Sequence, residues 1–428
     1  VAIVLLAALL VANIAEQYGY SLFNFNTRNM LSFTKFGLLF NSIAFGSTLL
    51  YYFLSSKDMQ RVGIYLAEYF ALIFFVLCGV AVASSFNTLL MLFLGIEIIS
   101  IPLYILTGAD KRNLKSNEAS LKYFLMGSFS TGLMLMGITL LYGVAGSFDL
   151  EELFKAGQQS NALFTAGIVL LMIALGFKAS AAPFHFWTPD VYDGAPTVFT
   201  SFMATIVKAA VFIAFIRLFD NAFGIAHSQW QLLIAIITAT TLFIGNLTAV
   251  FQQSVKRMLA YSSIAQAGFM LFAVFALNDM AKEGLILYTA AYSLATIGIF
   301  AILVKMKDYT YEGFNGLARR QPLLAAVNTI FLLSLAGIPL TAGFFAKYYM
   351  LAAALKAGGY MWLVIFAVLC ATVSVYYYFR VIQAMYFKDG EGQDIEASPS
   401  FKGWMVCLAV IIVLLGIFPQ WLLDKLYF

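Results

Sequence analysis

The sequence predicts an all-α, polytopic transmembrane helix bundle, on the strength of its charge content, its apolar runs and two paired interruptions in those runs. Of 428 residues, 62% are hydrophobic and only 11% are charged, whereas a soluble globular chain carries about 25% charged residues. Mean hydropathy is +0.89. Apolar runs of 20 or more residues recur without period-2 alternation, which excludes a membrane β-barrel. Lipid offers no hydrogen bonds, so each backbone amide must be satisfied inside its own segment, and helices follow.

Windows of about 20 residues place thirteen spans at 1–14, 32–54, 63–84, 87–108, 117–143, 161–182, 195–219, 230–251, 254–276, 284–306, 321–356, 360–386 and 403–424. Val1 begins inside an apolar run, so an upstream segment is expected. The first two spans form a peripheral unit, 1–62. Two five-span groups follow, 63–219 and 220–387, and then a polar loop with the last span, 388–428. The longest polar stretch, KDGEGQDIEASPS at 388–400, is too short to fold. Catalysis in a water-soluble domain is thereby excluded.

Sorting the 25 Lys and Arg residues by alternating spans tests this topology against the positive-inside rule. One side collects fourteen: Lys57, Arg61, Lys111, Arg112, Lys115, Lys256, Arg257, Lys305, Lys307, Arg319, Arg320, Arg380, Lys388 and Lys402. The other collects seven: Arg28, Lys35, Lys155, Arg217, Lys282, Lys356 and Lys425. The first side is expected to face the cytoplasm, which places the C-terminus on the periplasmic side of a bacterial inner membrane. Four lysines remain inside spans: Lys122, Lys178, Lys208 and Lys347.

Two spans run long and contain helix breakers. Pro183 and Pro189 interrupt GFKASAAPFHFWTPDVYDGAP, and Gly337, Pro339 and Gly343 interrupt SLAGIPLTAGFFAKYYM. Broken helices at membrane depth are tolerated only when enclosed by protein or lining a wet cavity. Each interrupted span is the fourth of its five-span group, and an odd unit repeated must be inverted. Paired breaks in two inverted halves point to a transport pathway. Two unrelated proline kinks are the plainer alternative.

Glu97, in FLGIEIISIPLY, sits near the centre of its span, where a charge costs at least about 2.5–3.5 kcal/mol and so demands a cation. Lys178 and Lys208 both qualify as that partner. Lysine suits proton relay because an ammonium in an apolar site loses its proton readily, while an adjacent carboxylate holds it on. If Glu97 shifts between partners, the abandoned lysine passes its proton to a neighbour. The competing reading is a static ion pair that glues helices. Lys122 lies near the start of its span, where snorkelling is the alternative. His185, just past Pro183, can bridge lysines or be a satisfied core residue. Arg217 and Lys256 lie near span ends, where setting topology is the alternative. Asp190 and Asp193 read as solvated loop charges, and aromatic stripes such as VSVYYYFR as packing.

Cys78, Cys370 and Cys407 are far apart and form no CxxC pair, so neither an iron–sulfur nor a zinc site is built from them. The net charge of +4 is spread over many loops, which leaves no footprint for nucleic acid.

Three stretches, LFLGIEIISIPLY, GFKASAAPFHFWTPDVYDGAP and VKRMLAYSSIAQAGF, resemble the antiporter-like membrane subunits shared by complex I and multisubunit cation/proton antiporters. The TPDVYDGAPT segment is most similar to the N type. The resemblance implies a fourteen-helix fold with two inverted five-helix repeats, of which one N-terminal helix is missing from this sequence. It implies that Glu97 and Lys178 are a paired acid and base, Lys208 the connecting lysine and Lys347 the terminal lysine. It also sets Lys122, His185, Arg217 and Lys256 on a polar axis. Ala265-Gln266-Ala267 departs from the Ser-His seen in many N-type chains. The same resemblance implies a subunit of a proton-translocating NADH:quinone oxidoreductase, with sibling antiporter-like and small membrane subunits as partners. NADH, flavin, iron–sulfur clusters and ubiquinone or menaquinone then belong to partner subunits, in keeping with the lack of a GxGxxG opening a helix after a strand. A cation/proton antiporter subunit and a proton-inert scaffold are the competing expectations.

Overall fold

The computed structural model describes residues 1–20, 26–158, 161–390, 392–393 and 395–426. Positions 391 and 394 of the polar 388–400 stretch lie outside the described residues. Two helices, α1 (Ala2–Gln17) and α2 (Lys35–Met59), pack together first. The next group holds α3 (Leu66–Ser85), α4 (Leu89–Thr107), α5 (Leu114–Ala145), a short amphipathic α6 (Leu150–Gly157), α7 (Ala162–Lys178), α8 (Trp187–Gly194), α9 (Thr197–Phe202) and α10 (Lys208–Asn221). One π-helical turn, Met203–Val207, joins α9 to α10. There follow α11 (His227–Val250), α12 (Val255–Ala276), α13 (Asp279–Leu303), α14 (Leu317–Arg320), α15 (Pro322–Ala336), α16 (Ala342–Ala357), α17 (Met361–Phe387), α18 (Pro399–Ile417) and α19 (Gln420–Leu423).

Among the described residues ten helices are long and apolar enough to cross a membrane, and three shorter apolar helices, α1, α7 and α15, fall within three further predicted spans. Several boundaries move, each for a local reason. The span expected from 284 starts at Asp279, where the Asn278 side chain accepts from Ala281 N at 2.9 Å. Thr34, Thr88, Asn113, Asn161, Ser254 and Ser398 cap α2, α4, α5, α7, α12 and α18 in the same way, satisfying amide donors that have no partner within the helix. The last span, expected to reach 424, stops at Ile417 because Pro419 cannot continue the ladder.

The helix pairing repeats. In one group α3 packs on α4 and α10, and α5 on α7; in the other α11 packs on α12 and α17, and α13 on α15 and α16. The α11–α12 contact is close enough that a Cβ at Gly245 would lie 2.5 Å from Ala265 N, which is the small-residue packing that membrane helices need in place of a hydrophobic drive. At the centre, the Thr197–Asn221 segment and α13 are 100% buried and α12 is 94% buried over their apolar windows.

Basic residues near the helix ends are held by local partners. Lys305 pairs with Asp58 at 2.9 Å, Arg319 with Asp389 at 3.0 Å, and Arg380 donates to Gln252 O and Gln253 Oε1. At the opposite end Lys282 pairs with Asp220 at 2.7 Å and Lys425 donates to Tyr18 OH. Gln393 ties the polar loop to Asp308 O and Gly313 O.

Candidate functional site

The first interrupted helix stops at Lys178. Its terminal carbonyls find new donors: Ala181 N bonds Gly176 O, and Trp187 Nε1 bonds Phe177 O at 3.0 Å. Thr241 Oγ1 accepts from Ala182 N, so α11 holds the break in place. Lys178 Nζ then lies 3.8 Å from Glu97 Oε1, 2.8 Å from Ser100 Oγ and 3.2 Å from Tyr104 OH. Between the two lysines that the sequence left open as partners of Glu97, geometry selects Lys178. Thr131 Oγ1 also donates to Glu97 Oε1, at 2.7 Å.

Glu97 is not sealed. Its side chain is 20% exposed, on the stripe of α4 that also exposes Leu90, Leu94, Ile101 and Ile105. That stripe follows helical spacing, so the acid sits on an otherwise apolar outer face.

The second interruption is built differently. Gly337 ends α15 at φ +84°, and its amide bonds Leu333 O and Ser334 O. A Cβ at Gly343 would fall 1.8 Å from Ser334 O, so α16 begins where only glycine fits. Lys347 Nζ reaches back to Leu335 O and Ala336 O, both at 2.9 Å. These are carbonyls at the C-terminal end of α15, where the helix dipole is negative. Among the described residues no carboxylate pairs with Lys347.

Lys208 lies between the two breaks, at the end of the π-helical turn, and is 2% exposed. Its Nζ donates to Ser263 O and Ser263 Oγ at 2.9 Å each. Toward Lys178 the packing is aromatic. Lys178 Nζ lies 5.7 Å from the Tyr104 ring centre and Lys208 Nζ 5.8 Å from that of Tyr192. Tyr104 meets Tyr123, Tyr123 stacks on Trp187, and Trp187 meets Tyr192. Toward Lys347 the packing is polar. Ser262 Oγ meets Tyr378 OH, Gln266 donates to Tyr378 OH and to Leu335 O, and Tyr288 OH donates to Gln266.

The remaining predicted residues fall into distinct settings. Lys256, 3% exposed, donates to Asp193 O and Ala195 O at 2.8 Å. Beside it a polar cleft is lined by Lys115, Glu118, Lys122, Asp190, Asp193 and Arg257. Lys122 is 42% exposed and pairs with Glu118 at 2.7 Å and Asp190 at 3.0 Å, and Arg257 pairs with Asp190 at 3.0 Å. Asp190 and Asp193 are therefore not free loop charges; they sit on α8 where cations from α5 and α12 converge. Partial burial pushes the Asp190 carboxyl up, but hydrogen bonds from Lys122 and Arg257 prevail and hold it below the ordinary carboxylate range. His185 lies within the first break, buried and stacked on Phe186, with no partner for Nδ1. Arg217 donates to Phe86 O at 2.7 Å, Ser32 O at 3.0 Å and Ser85 O at 3.5 Å, closing the C-terminal end of α3.

Sequence reasoning missed the Ser262, Ser263, Gln266, Tyr288 and Tyr378 cluster, although YSSIAQAG sets three polar residues deep in an apolar span. It also missed Asp58, whose side chain is 3% exposed against Lys305. Among the described residues no group of three or more His, Cys, Asp or Glu is arranged to hold a metal.

Residues 86–374 match the family model described as NADH:quinone oxidoreductase/Mrp antiporter, transmembrane region. NADH-quinone oxidoreductase subunit N of Cytophaga hutchinsonii is 44% identical over 406 residues, covering 91% of this chain and 88% of that protein. Subunit N 1 of Herpetosiphon aurantiacus is 37% identical over 426 residues, covering 96% and 86%. A chain of respiratory complex I from Thermus thermophilus with bound aureothin superimposes with TM-score 0.86 at 33% identity, over 99% of this chain and 92% of that one. A chain of the Mrp complex from a Dietzia species shares the fold at TM-score 0.85 and 20% identity, over 99% and 90%.

Proposed function

This chain belongs to the NADH:quinone oxidoreductase/Mrp antiporter transmembrane family, and on that premise we propose that protons move along its row of Glu97, Lys178, Lys208 and Lys347. It is an N-type antiporter-like subunit of an NADH:quinone oxidoreductase, a multi-pass membrane protein assembled with other membrane subunits. The likeness to the Mrp chain supports the common fold alone.

One observation carries the reading. Among the described residues a single carboxylate, Glu97, stands 3.8 Å from one buried ammonium, while Lys208 and Lys347 are buried further along on neutral acceptors. Thr131 and Lys178 share the same Glu97 oxygen. Movement of the carboxylate away from Lys178 leaves its ammonium without a counter-charge, which favours loss of the proton. That proton passes toward Lys208 and from there to Lys347. Each proton moved against 100 mV costs about 2.3 kcal/mol, supplied by coupling to reactions elsewhere in the complex.

Supporting roles follow from position. Lys256 and the cleft of Lys122, Asp190 and Arg257 suit proton uptake, and His185 suits a relay within the first break. Arg217 holds the end of α3 and serves architecture. Partner subunits carry NADH, flavin, iron–sulfur clusters and quinone in this reading, and this chain holds no redox centre. The end bearing fourteen basic residues faces the cytoplasm of a bacterial inner membrane, with the C-terminus periplasmic. Residues 63–219 and 220–387 are two inverted five-helix repeats, a division supported by their recurring helix pairing. Residues 1–62 are peripheral, and 388–428 form the loop and final helix. Glu97, partly open on an apolar face, calls for a neighbouring subunit to cover it.

The test is proton uptake into vesicles by the assembled complex carrying Lys208→Ala, with quinone reduction followed in the same sample. Pumping is expected to fall by about tenfold or more with normal assembly. Unchanged pumping would make Lys208 a packing charge and remove the central member of the row.

A further inference from the structure

Between Lys208 and Lys347 stands a group that cannot itself carry a proton near neutral pH. Gln266 is 2% exposed on α12, enclosed by α13, α15 and α17. A primary amide has two N–H donors and one oxygen acceptor. Here Nε2 donates to Leu335 O at 2.9 Å and to Tyr378 OH at 3.0 Å, and Oε1 accepts the Tyr288 hydroxyl. Both donors are used and the oxygen is engaged, so the amide has one orientation; reversing it would set oxygen against the Leu335 carbonyl.

The Leu335 carbonyl is also one of the two acceptors of Lys347. Amide and ammonium thus share one oxygen at the broken end of α15. Beside them a small cavity is lined by Gln266, Tyr288, Tyr292, Ser334 and Lys347, and the Tyr292 hydroxyl there is buried without a protein partner. Tyr288 and Tyr292 are the titratable groups that line this cavity with Lys347.

We propose that Gln266 is a positioning residue for proton transfer at Lys347, fixing the Leu335 carbonyl and the Tyr378 hydroxyl so that the ammonium shares rather than owns its acceptor. The proposal rests on the reading of Lys347 as a proton carrier. An ammonium gripped by two unshared carbonyls releases its proton less readily, because hydrogen bonds to the charged form favour that form. By occupying one lone pair of Leu335, Gln266 loosens that grip. Through Tyr378 and Ser262 it also keeps the second break in register with the α12 segment that binds Lys208.

No common substitute reproduces the pattern. Leucine offers no donor and neutral histidine only one. The assembled complex in vesicles is therefore compared as wild type, Gln266→Leu, Gln266→His and Lys347→Ala, with proton uptake and quinone reduction measured across pH. Gln266→Leu is expected to slow pumping by about tenfold per assembled complex, with the alkaline limb of the profile displaced to higher pH; a purely structural role would scale the whole profile without moving it. Gln266→His is expected to be slower than wild type, and Tyr378→Phe, which cuts one of the three bonds of Gln266 together with the bond to Ser262, slower by about threefold. Adding Tyr378→Phe to Gln266→Leu is expected to cost little more, because the two act in one network. Should Gln266→Leu fail to assemble, Tyr378→Phe alone decides, and its wild-type rate and profile overturn the proposal. A wild-type profile for Gln266→Leu, or faster pumping by Gln266→His, overturns it too. If Lys347→Ala is inactive while Gln266→Leu is normal, the positioning role alone fails. Normal pumping by Lys347→Ala fails the lysine row itself, whatever Gln266 does.

Discussion

The two stretches of the lysine row are built from opposite materials. Between Lys178 and Lys208 lie Tyr104, Tyr123, Trp187 and Tyr192, whose contacts with one another are ring on ring. Between Lys208 and Lys347 lie Ser263, Ser262, Tyr378, Gln266 and the Leu335 carbonyl, whose contacts are hydrogen bonds. Counter-charge differs in parallel. Lys178 has a carboxylate on a side chain, and Lys347 has carbonyls fixed at a helix end. A side-chain acid can move, whereas backbone carbonyls cannot. The first stretch is thus suited to switching, and the second to holding a standing connection.

The largest expected effect comes from removing the movable charge. Glu97→Gln keeps the shape and one hydrogen-bond acceptor but leaves the Lys178 ammonium buried and unpaired. Losing about 2 kcal/mol of charge stabilisation corresponds to roughly a thirtyfold loss, read as proton uptake per assembled complex. Pumping within twofold of wild type would erase the contrast between a switching and a holding half.

A pair of Tyr→Phe substitutions sharpens the comparison. Tyr123→Phe keeps the ring that stacks on Trp187, and pumping is expected to stay close to wild type. Tyr378→Phe removes a hydroxyl that binds both Ser262 and Gln266, and is expected to slow pumping about threefold. Equal effects at the two sites would mean that ring and hydroxyl serve alike, and the distinction between dry and polar stretches would fall.

These two stretches were unequally legible in the sequence. Spans, breaks and the intramembrane Lys and Glu residues follow from hydropathy, because a charge or a proline in an apolar window stands out against its neighbours. The Gln266 cluster does not, because Ser, Tyr and Gln are common in membrane helices and become a network only when α12, α13, α15 and α17 meet. Pairing was equally hidden: Glu97 had two possible partners until the α7 break set Lys178 beside it. Lys305 read as a loop cation because its partner, Asp58, lies 247 residues away. Asp190 and Asp193 read as solvated because nothing local announces that Lys122 and Arg257 converge on α8.

Arg217 tests whether burial of a cation alone marks the transport route. Its guanidinium meets Phe86 O and Ser85 O at the end of α3, and Ser32 O and Thr34 Oγ1 in the segment that leads into α2. Arg217→Ala would take from Phe86 O and Ser32 O their Arg217 donors, at about 1–3 kcal/mol each, while Ser85 O keeps the Ser32 amide. The expected result is less assembled complex and a lower thermal midpoint in detergent, with pumping per assembled complex unchanged. Normal assembly with failed pumping would instead place Arg217 on the path.

The smallest effect is expected at Lys122, an ammonium 42% exposed that shares Asp190 with Arg257. Lys122→Ala leaves Asp190 one partner, and exposed pairs contribute little, so pumping should stay within about twofold of wild type. The pH dependence has a definite sign. Asp190 is held below the ordinary carboxylate range in the folded protein, so its ion pairs stabilise the fold above the unfolded value of about 3.9 and are lost as pH falls through the lower folded value. Any difference in thermal midpoint between wild type and Lys122→Ala should therefore be constant across neutral pH and close only in acid. A difference that instead changes across neutral pH would show that a group other than Asp190 governs this cleft.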